Sequence, residues 1–210
     1  AALVALMHNG EVCDMKTFQC PKVHKSFEER LTDLIAKIGE NMNLRRAAML
    51  EVSNGVIASY VHNACKPNLG KIGVLVALES NGDKAKLQEL GKHIAMHVAA
   101  SNPQFLTIAD VDQASIEHEK AIFSEQAKAS GKPENIIEKM VEGRIKKYFD
   151  EVVLEEQAYI MDPDKKVKQI VADAAKEMGA DIKLKAFVCF RLGEGLEKRN
   201  EDFAAEVASQ

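Results

Sequence analysis

Apolar residues recur at three- and four-residue spacing in several parts of the chain, which is typical of helices with one buried face. The helices predicted outside the region 112–148 are 26–37, 84–100, a segment from Asp162-Pro163 to Met178, and 196–208. Ser26 and Glu29 have the spacing of a capping box, and Asp83 is placed to cap the helix that follows it. Gly39 and Gly179 stand where the first and third of these helices should end.

Other segments have the composition of strands. The predicted strands are 47–52, 56–61, 71–79 and 182–191, and the segment 151–161 is predicted as a strand or an extended segment. Asn54-Gly55 between two apolar runs predicts a hairpin that joins the first two. The run 71–79 is almost wholly apolar, so it should be a central strand covered on both faces. The last strand alternates, with one apolar face made by Ile182, Leu184, Ala186, Val188 and Phe190.

The segment 112–148 is highly charged, and its apolar residues recur at helical spacing. The sequence SGKP at 130–133 divides it, and Pro133 suits the first turn of a new helix. The pattern predicts an antiparallel helical hairpin that projects from the body of the protein. Together with the antiparallel strands and flanking helices, it indicates an α+β fold.

Bulk composition excludes several classes of protein. The chain has 210 residues, 46% of them hydrophobic, and a formal net charge of −4, which argues against a protein built to grip nucleic acid. No run approaches the roughly 20 apolar residues that span a bilayer. The opening AALVALM is a poor signal peptide and lacks an initiator Met, so we expect a fragment or a processed product.

Candidate chemistry along the chain is sparse. The four cysteines are scattered, which favours reduced thiols, although a Cys13–Cys20 disulfide stays open. His93 and His97 have the i, i+4 spacing of metal ligands, but Ile94 stands where a zinc protease needs Glu, so core packing is favoured. The glycines match no phosphate-binding loop. We therefore expect no enzyme, no metal and no cofactor.

Charged clusters have plain explanations. The sequence RIKK at 144–147 suits the end of a helix better than it suits a phosphate-binding patch. Glu155 and Glu156 should be solvated in a charged segment. From the residues alone, the chain is an α+β protein whose exposed hairpin and acidic last helix are suited to contacts with other proteins.

Four segments resemble a known family. They are KIGENMNLRR (37–46), GKIGVLVALE with GKHIAMHVAASNPQFL (70–79 and 91–106), the long run at 131–163, and FRLGEGLEKRNEDFAAEVA (190–208). In this order they are similar to translation elongation factor Ts, the guanine-nucleotide exchange factor for elongation factor Tu. The resemblance covers most of the chain from about residue 26 onward.

The resemblance implies a domain arrangement. Residues 1–55 would be the remainder of a first α+β subdomain, and 56–111 with 156–192 would form the second. Residues 112–155 would be a helical-hairpin or coiled-coil module, and 193–210 a C-terminal helical module. It also implies binding to elongation factor Tu and release of GDP through loss of its magnesium and phosphate contacts. The bacterial-looking motifs favour a bacterial cytoplasmic location over an organellar matrix.

Residue roles are carried over only where the motifs match. The partner-binding residues implied are Ile38, Gly39, His62, Asp202, Phe203 and Val207. The hairpin residues implied for dimerisation or partner contact are Ile137, Met140, Val141 and Ile145. A homodimer through the hairpin stays open, and neither nucleic acid nor membrane is expected as a partner.

Two departures from the family pattern affect the expected activity. These are the family's amino-terminal helical domain and its TDFV-type motif, which have no counterpart in this sequence. In addition, KPNLG at 66–70 resembles a small insertion. If the chain is the whole molecule, exchange should be weak. The alternatives are a binding or assembly module without exchange activity and, much less favoured, a metal hydrolase using His93 and His97.

Overall fold

The computed structural model describes residues 24–128 and 134–195, together with residue 19. Its helices are α1 (Phe27–Ile38), α2 (Lys84–Ser101), α3 (Gln113–Lys128), α4 (Glu134–Val152) and α5 (Val167–Met178), with a short 3₁₀ turn at Ile108–Asp110. Its strands are β1 (Gly55–His62), β2 (Ile72–Ser80), β3 (Ala158–Tyr159), β4 (Asp162–Lys166) and β5 (Ile182–Arg191). The α+β class is confirmed.

Within the described residues, the main sheet has three antiparallel strands in the order β1-β2-β5. The strand β2 is central, as its apolar run predicts, and every residue of β1 pairs with it. The strand β5 reaches the other edge of β2 only after α3, α4 and α5 have intervened in the chain. β3 and β4 form a separate small hairpin.

The main core lies between one face of this sheet and helices α2 and α5. Its fully buried members include the β2 residues Val76 and Leu78 and the α2 residue Ile94. The helix α2 comes unusually close to β1 because position 91 is glycine. A Cβ placed on Gly91 would lie 2.6 Å from the Cβ of Ala58.

The predicted helix caps are confirmed. Ser26 and Glu29 form a reciprocal capping box at the start of α1. The Asp83 carboxylate accepts from the amides of Ala85 and Lys86 at the start of α2. Gly39 and Gly179 end α1 and α5 in the left-handed conformation.

A β-bulge overturns the predicted faces of β5. The register shifts between Ala77 and Leu78, which pair with Ala186 and Leu184, so Lys185 is the extra residue. Beyond the bulge the alternation is inverted. Phe187, not Ala186, packs against the main core. The predicted apolar face is therefore correct for Ile182 and Leu184 and wrong for Ala186, Val188 and Phe190.

The hairpin predicted at Asn54-Gly55 is wrong. Residues 41–52 contain no strand, and β1 pairs instead with β2, which follows it. Asn54 extends the pairing of β1 with β2 by one hydrogen bond, since its carbonyl accepts from the amide of Ser80 at the end of β2. The turn residues lie next to β1, but the apolar run before them does not fold back onto it.

Two further boundaries differ from prediction. The segment 151–161 contains the end of α4, a turn and the two residues of β3, so it is not one strand. Asp162-Pro163 begins β4, and α5 starts only at Val167, where Lys166 and Gln169 form the cap. The helix predicted from Asp162 is therefore five residues too long at its start.

The helices α3 and α4 pack chiefly against each other. The Arg144 guanidinium lies over the ring of Phe123, 5.6 Å from its centroid. Tyr148, near the end of α4, interacts electrostatically with Glu119 in the first half of α3 and with Asp112 just before it. The two helices therefore run in opposite directions. The helix continues to Val152, so the sequence RIKK lies inside α4 and not at its end.

Replacing Gly91 by Ala should destabilise the protein by about 1–3 kcal/mol, because the new methyl overpacks the contact between α2 and β1. Gly143, inside α4, has open space at the Cβ position and is the matched control. Gly143→Ala should stabilise by about 0.5–1 kcal/mol through helix propensity. Urea unfolding checks both, and a stabilised Gly91→Ala variant would show that α2 can move away from the sheet without cost.

Candidate partner-binding surfaces

The end of α1 presents an exposed apolar side chain. Ile38 is 55% exposed, and Leu34, one turn earlier, is 45% exposed. Gly39 follows with φ at +78°, and no atom lies within 4 Å of a Cβ built there. A left-handed glycine leaves room for a partner's backbone to approach next to an apolar side chain. The predicted roles of Ile38 and Gly39 remain predictions.

His62 lies at the end of β1, exposed and held by a neighbour on the same face. Its Nδ1 lies 3.1 Å from the hydroxyl of Tyr60, and the two rings are 6.1 Å apart. The His62 carbonyl accepts from the amide of Lys71, which closes the loop between β1 and β2. The imidazole is therefore oriented at an accessible sheet end, as a contact residue requires.

The predicted hairpin residues divide into buried and half-buried side chains. Ile137 and Ile145 are buried, whereas Met140 and Val141 are half-buried. The first two therefore serve the packing of α3 on α4. Asp202, Phe203 and Val207 lie outside the described residues, so the structure does not bear on them.

His97 is fully buried and hydrogen-bonded through both ring nitrogens. Its Nδ1 accepts from the amide of Ile160 at 3.3 Å, so its Nε2 carries the proton and donates to Gln157 Oε1 at 2.9 Å. Burial lowers the pKa of His97, and the bond to Gln157 opposes that shift. Both nitrogens are used, so His97 cannot be a metal ligand.

The other candidates were metal-binding clusters, cysteine pairs and membrane spans. Residues 24–128 and 134–195 hold no cluster of His, Cys, Asp or Glu that could bind a metal. Cys65 and Cys189 are free thiols there, while Cys13 and Cys20 lie outside it. None of the described helices is long and apolar enough to cross a membrane.

One carboxylate predicted to be solvated is paired and mostly buried. Glu156 is only 13% exposed and accepts from the ammonium groups of Lys166 and Lys168, at 2.7 and 2.6 Å. These bonds lower its pKa. Lys166 also reaches Asp150 on α4 at 2.8 Å. Glu155 differs, because burial and the charge of Glu156 raise its pKa.

A second contact missed by sequence reasoning joins two family-like segments. Arg45 donates to the carbonyl of Glu194, and Arg46 pairs with the Glu194 carboxylate. The Arg46 guanidinium also lies 4.8 Å from the centroid of the Phe190 ring. The chain after α1 is thereby fastened to the end of β5. Arg45 and Arg46 lie in the segment 37–46 and Glu194 lies in 190–208, so the only sequence signal for this contact is that both segments resemble the same family.

Comparison with known proteins assigns the family. The family model described as Elongation factor TS matches residues 1–194. The chain belongs to the elongation factor Ts family. Members of this family are nucleotide exchange factors for elongation factor Tu and not enzymes.

Three relatives are all described as elongation factor Ts. The chain is 53% identical to that of Rhodospirillum centenum, over 98% of this chain and 67% of the relative. It is 54% identical to that of Paramagnetospirillum magneticum, over 100% and 67% of the two chains. It is 59% identical to that of Caulobacter vibrioides, over 88% and 59%. The chain thus spans about two thirds of the length of these bacterial elongation factors Ts.

The protein should lose stability as the pH falls below about 6.5, because His97 is protonated more readily in the unfolded chain than in the fold. Its contribution is fully present above the unfolded pKa and is lost as the pH falls through the lowered pKa of the folded state. Urea unfolding between about pH 7.5 and about pH 5.5 measures this change.

Two variants isolate the effect. His97→Phe should flatten the pH dependence across that window, whereas His93→Phe, one turn earlier on α2, should leave most of it in place. Equal slopes for the parent protein and His97→Phe would show that another group is responsible.

Proposed function

We propose that this chain binds elongation factor Tu and accelerates its release of GDP. The observation that carries the proposal is the family match over residues 1–194. Exchange factor and GDP each weaken the other's binding to the same G protein, by one shared coupling free energy. Mg²⁺ neutralises the charge of the nucleotide phosphates, so loosening the metal site favours nucleotide release.

The contact surface would comprise the end of α1, the end of β1 and the last residues of the chain. Ile38 and Gly39 support the first part, since an exposed apolar side chain stands beside an open backbone position. His62 is the candidate at β1, and the resemblance adds Asp202, Phe203 and Val207. Arg45 and Arg46 help to join these parts, because their bonds to Glu194 fasten the chain after α1 to the chain after β5.

The domain arrangement is part of the same proposal. Residues 1–55 would belong to a first subdomain, and 56–111 with 156–192 to a second. The return of β5 to the edge of β2 supports this division. Residues 112–155 would form a projecting coiled-coil module, supported by the mutual packing of α3 and α4, and 193–210 a C-terminal module.

A second candidate function is assembly through the α3–α4 pair without exchange activity. Met140 and Val141 are half-buried and Ile136 is 43% exposed, so α4 retains apolar surface that a second copy can cover. A homodimer would use this surface. The bacterial relatives favour a bacterial cytoplasmic location.

Release of a fluorescent GDP analogue from elongation factor Tu tests the first proposal. The chain should raise the release rate, and the increase should shrink as the Mg²⁺ concentration rises, because the metal and the exchange factor oppose each other. Binding is measured separately by titration calorimetry. Binding without faster release would assign this chain the docking role alone, and no binding would refute the proposal.

Replacing Ile38 by Ala should weaken binding to elongation factor Tu by about 1–2 kcal/mol, which is a 5- to 30-fold rise in Kd. The matched control is Ile108→Ala, because Ile108 is also exposed, at 43%, but lies in the 3₁₀ turn before α3. The control should leave Kd unchanged. Equal effects of both substitutions would count against the end of α1 as a contact surface.

A further inference from the structure

Among the described residues, the buried polar side chains are His97 and Gln157, which are 0% and 4% exposed. Neither belongs to the surfaces assigned to partner contact. Burying a polar group is costly unless it is hydrogen-bonded, and fully bonded polar groups specify one arrangement of the elements they join. The elements joined here are the two helices α2 and α4.

Gln157 lies in the turn after α4, and its side chain reaches two helix ends. Its amide nitrogen donates to the carbonyl of Glu151 in the last turn of α4 at 2.7 Å, and more weakly to that of Ser101 at the end of α2 at 3.5 Å. Its Oε1 accepts from His97 Nε2. One side chain thus links α2 and α4 directly.

His97 holds Gln157 in place from the side of α2. Its second nitrogen accepts from the amide of Ile160, which follows β3, and its ring lies 5.8 Å from that of Tyr159. Rotating the imidazole breaks both of its bonds at once. The orientation of the pair is therefore fixed by geometry as well as by packing.

The other contacts at the base of α4 are the fully buried side chains of Val153 and Leu154, several backbone bonds and a partly exposed ion pair. Apolar packing is non-directional, so it holds the base in the core without fixing the angle at which the helix leaves it. The Val152 carbonyl accepts from the amides of Gln104 and Phe105. Lys166 holds Asp150, whose side chain is 39% exposed. Exposed pairs of this kind contribute little. Because α3 and α4 pack chiefly against each other, the direction of both is set at this base.

We infer that His97 and Gln157 are positioning residues that fix the direction in which the α3–α4 pair leaves the core. The consequence for partner contact rests on the proposed function, since it requires the pair to meet elongation factor Tu. Lys139 lies 12 residues before Glu151 on α4, about 18 Å along the helix. A tilt of about 10° at the base therefore moves it by about 3 Å.

The direct test is a distance distribution between two spin labels in the full chain. The labels are attached to a keto amino acid placed at Lys139 on α4 and at Lys92 on α2, both exposed, so that the cysteines are left intact. The parent protein should give one narrow distribution. His97→Phe and Gln157→Met, which keep size but remove the hydrogen bonds, should broaden it or shift it by about 3 Å or more.

Further variants separate positioning from stability. The double variant H97F/Q157M removes both polar partners, so its stability should recover towards that of the parent. Its distance distribution should nevertheless stay broad, which a purely structural role does not predict. His97→Gln retains a donor for Gln157 Oε1 and should restore part of the narrow distribution. His93→Phe is the matched control and should match the parent.

Exchange assays on the same variants connect geometry to function. The half-saturating concentration for GDP release should rise about tenfold in Gln157→Met, with the maximal rate unchanged, because only the approach to the partner is altered. Parent-like distance distributions in all three variants that lose the bonds would overturn the inference. If the parent protein does not accelerate GDP release, the proposed function fails. The spin-label distances would still show whether His97 and Gln157 fix the direction of α4.

Discussion

The burial of β2 between its two neighbouring strands and beneath α2 is the constraint on which the other elements depend. Val76 and Leu78 are fully buried, and each such side chain contributes about 1.5–3 kcal/mol. The exposed ion pairs contribute roughly 0–1 kcal/mol each. The close approach of α2 at Gly91 makes this burial possible, and the ion pairs adjust elements that it has already placed.

The residues proposed for partner contact lie outside this core. The end of α1 is open around Gly39, His62 stands at the end of β1, and α3 and α4 contact chiefly one another. Such an arrangement lets contact residues vary without disturbing the packed sheet. It also leaves the orientation of the outer elements to a few specific bonds, made by Gln157, His97 and the Arg45–Glu194 contact.

Local rules predicted much of the fold from the sequence. The Ser26–Glu29 capping box, the Asp83 cap and the left-handed glycines are encoded within a few residues, and the structure contains each of them. The errors arose where pairing over distance decides the outcome. The residues around Lys185 do not predict a bulge, because a bulge is defined by how β5 pairs with β2.

The same distinction applies to the candidate sites. His93 and His97 share a helical face, so their spacing is readable from the sequence, and the predicted core packing is confirmed for His97. Its bond to Gln157 joins residues 60 positions apart, and the Arg45 contact to Glu194 joins residues 149 positions apart. The contact role of Ile38 is predicted from the resemblance alone, since no local pattern distinguishes a contact residue from an ordinary surface one.

The position of β5 has a consequence for synthesis on the ribosome. About 100 residues separate the end of β2 at Ser80 from the start of β5 at Ile182. At about 5–20 residues per second, the central strand waits roughly 5–20 s for its second neighbour. During that time one edge of an apolar strand has no partner, a state that favours aggregation. A nascent chain of this protein therefore depends on early docking of α2, or on a chaperone, until its last strand emerges.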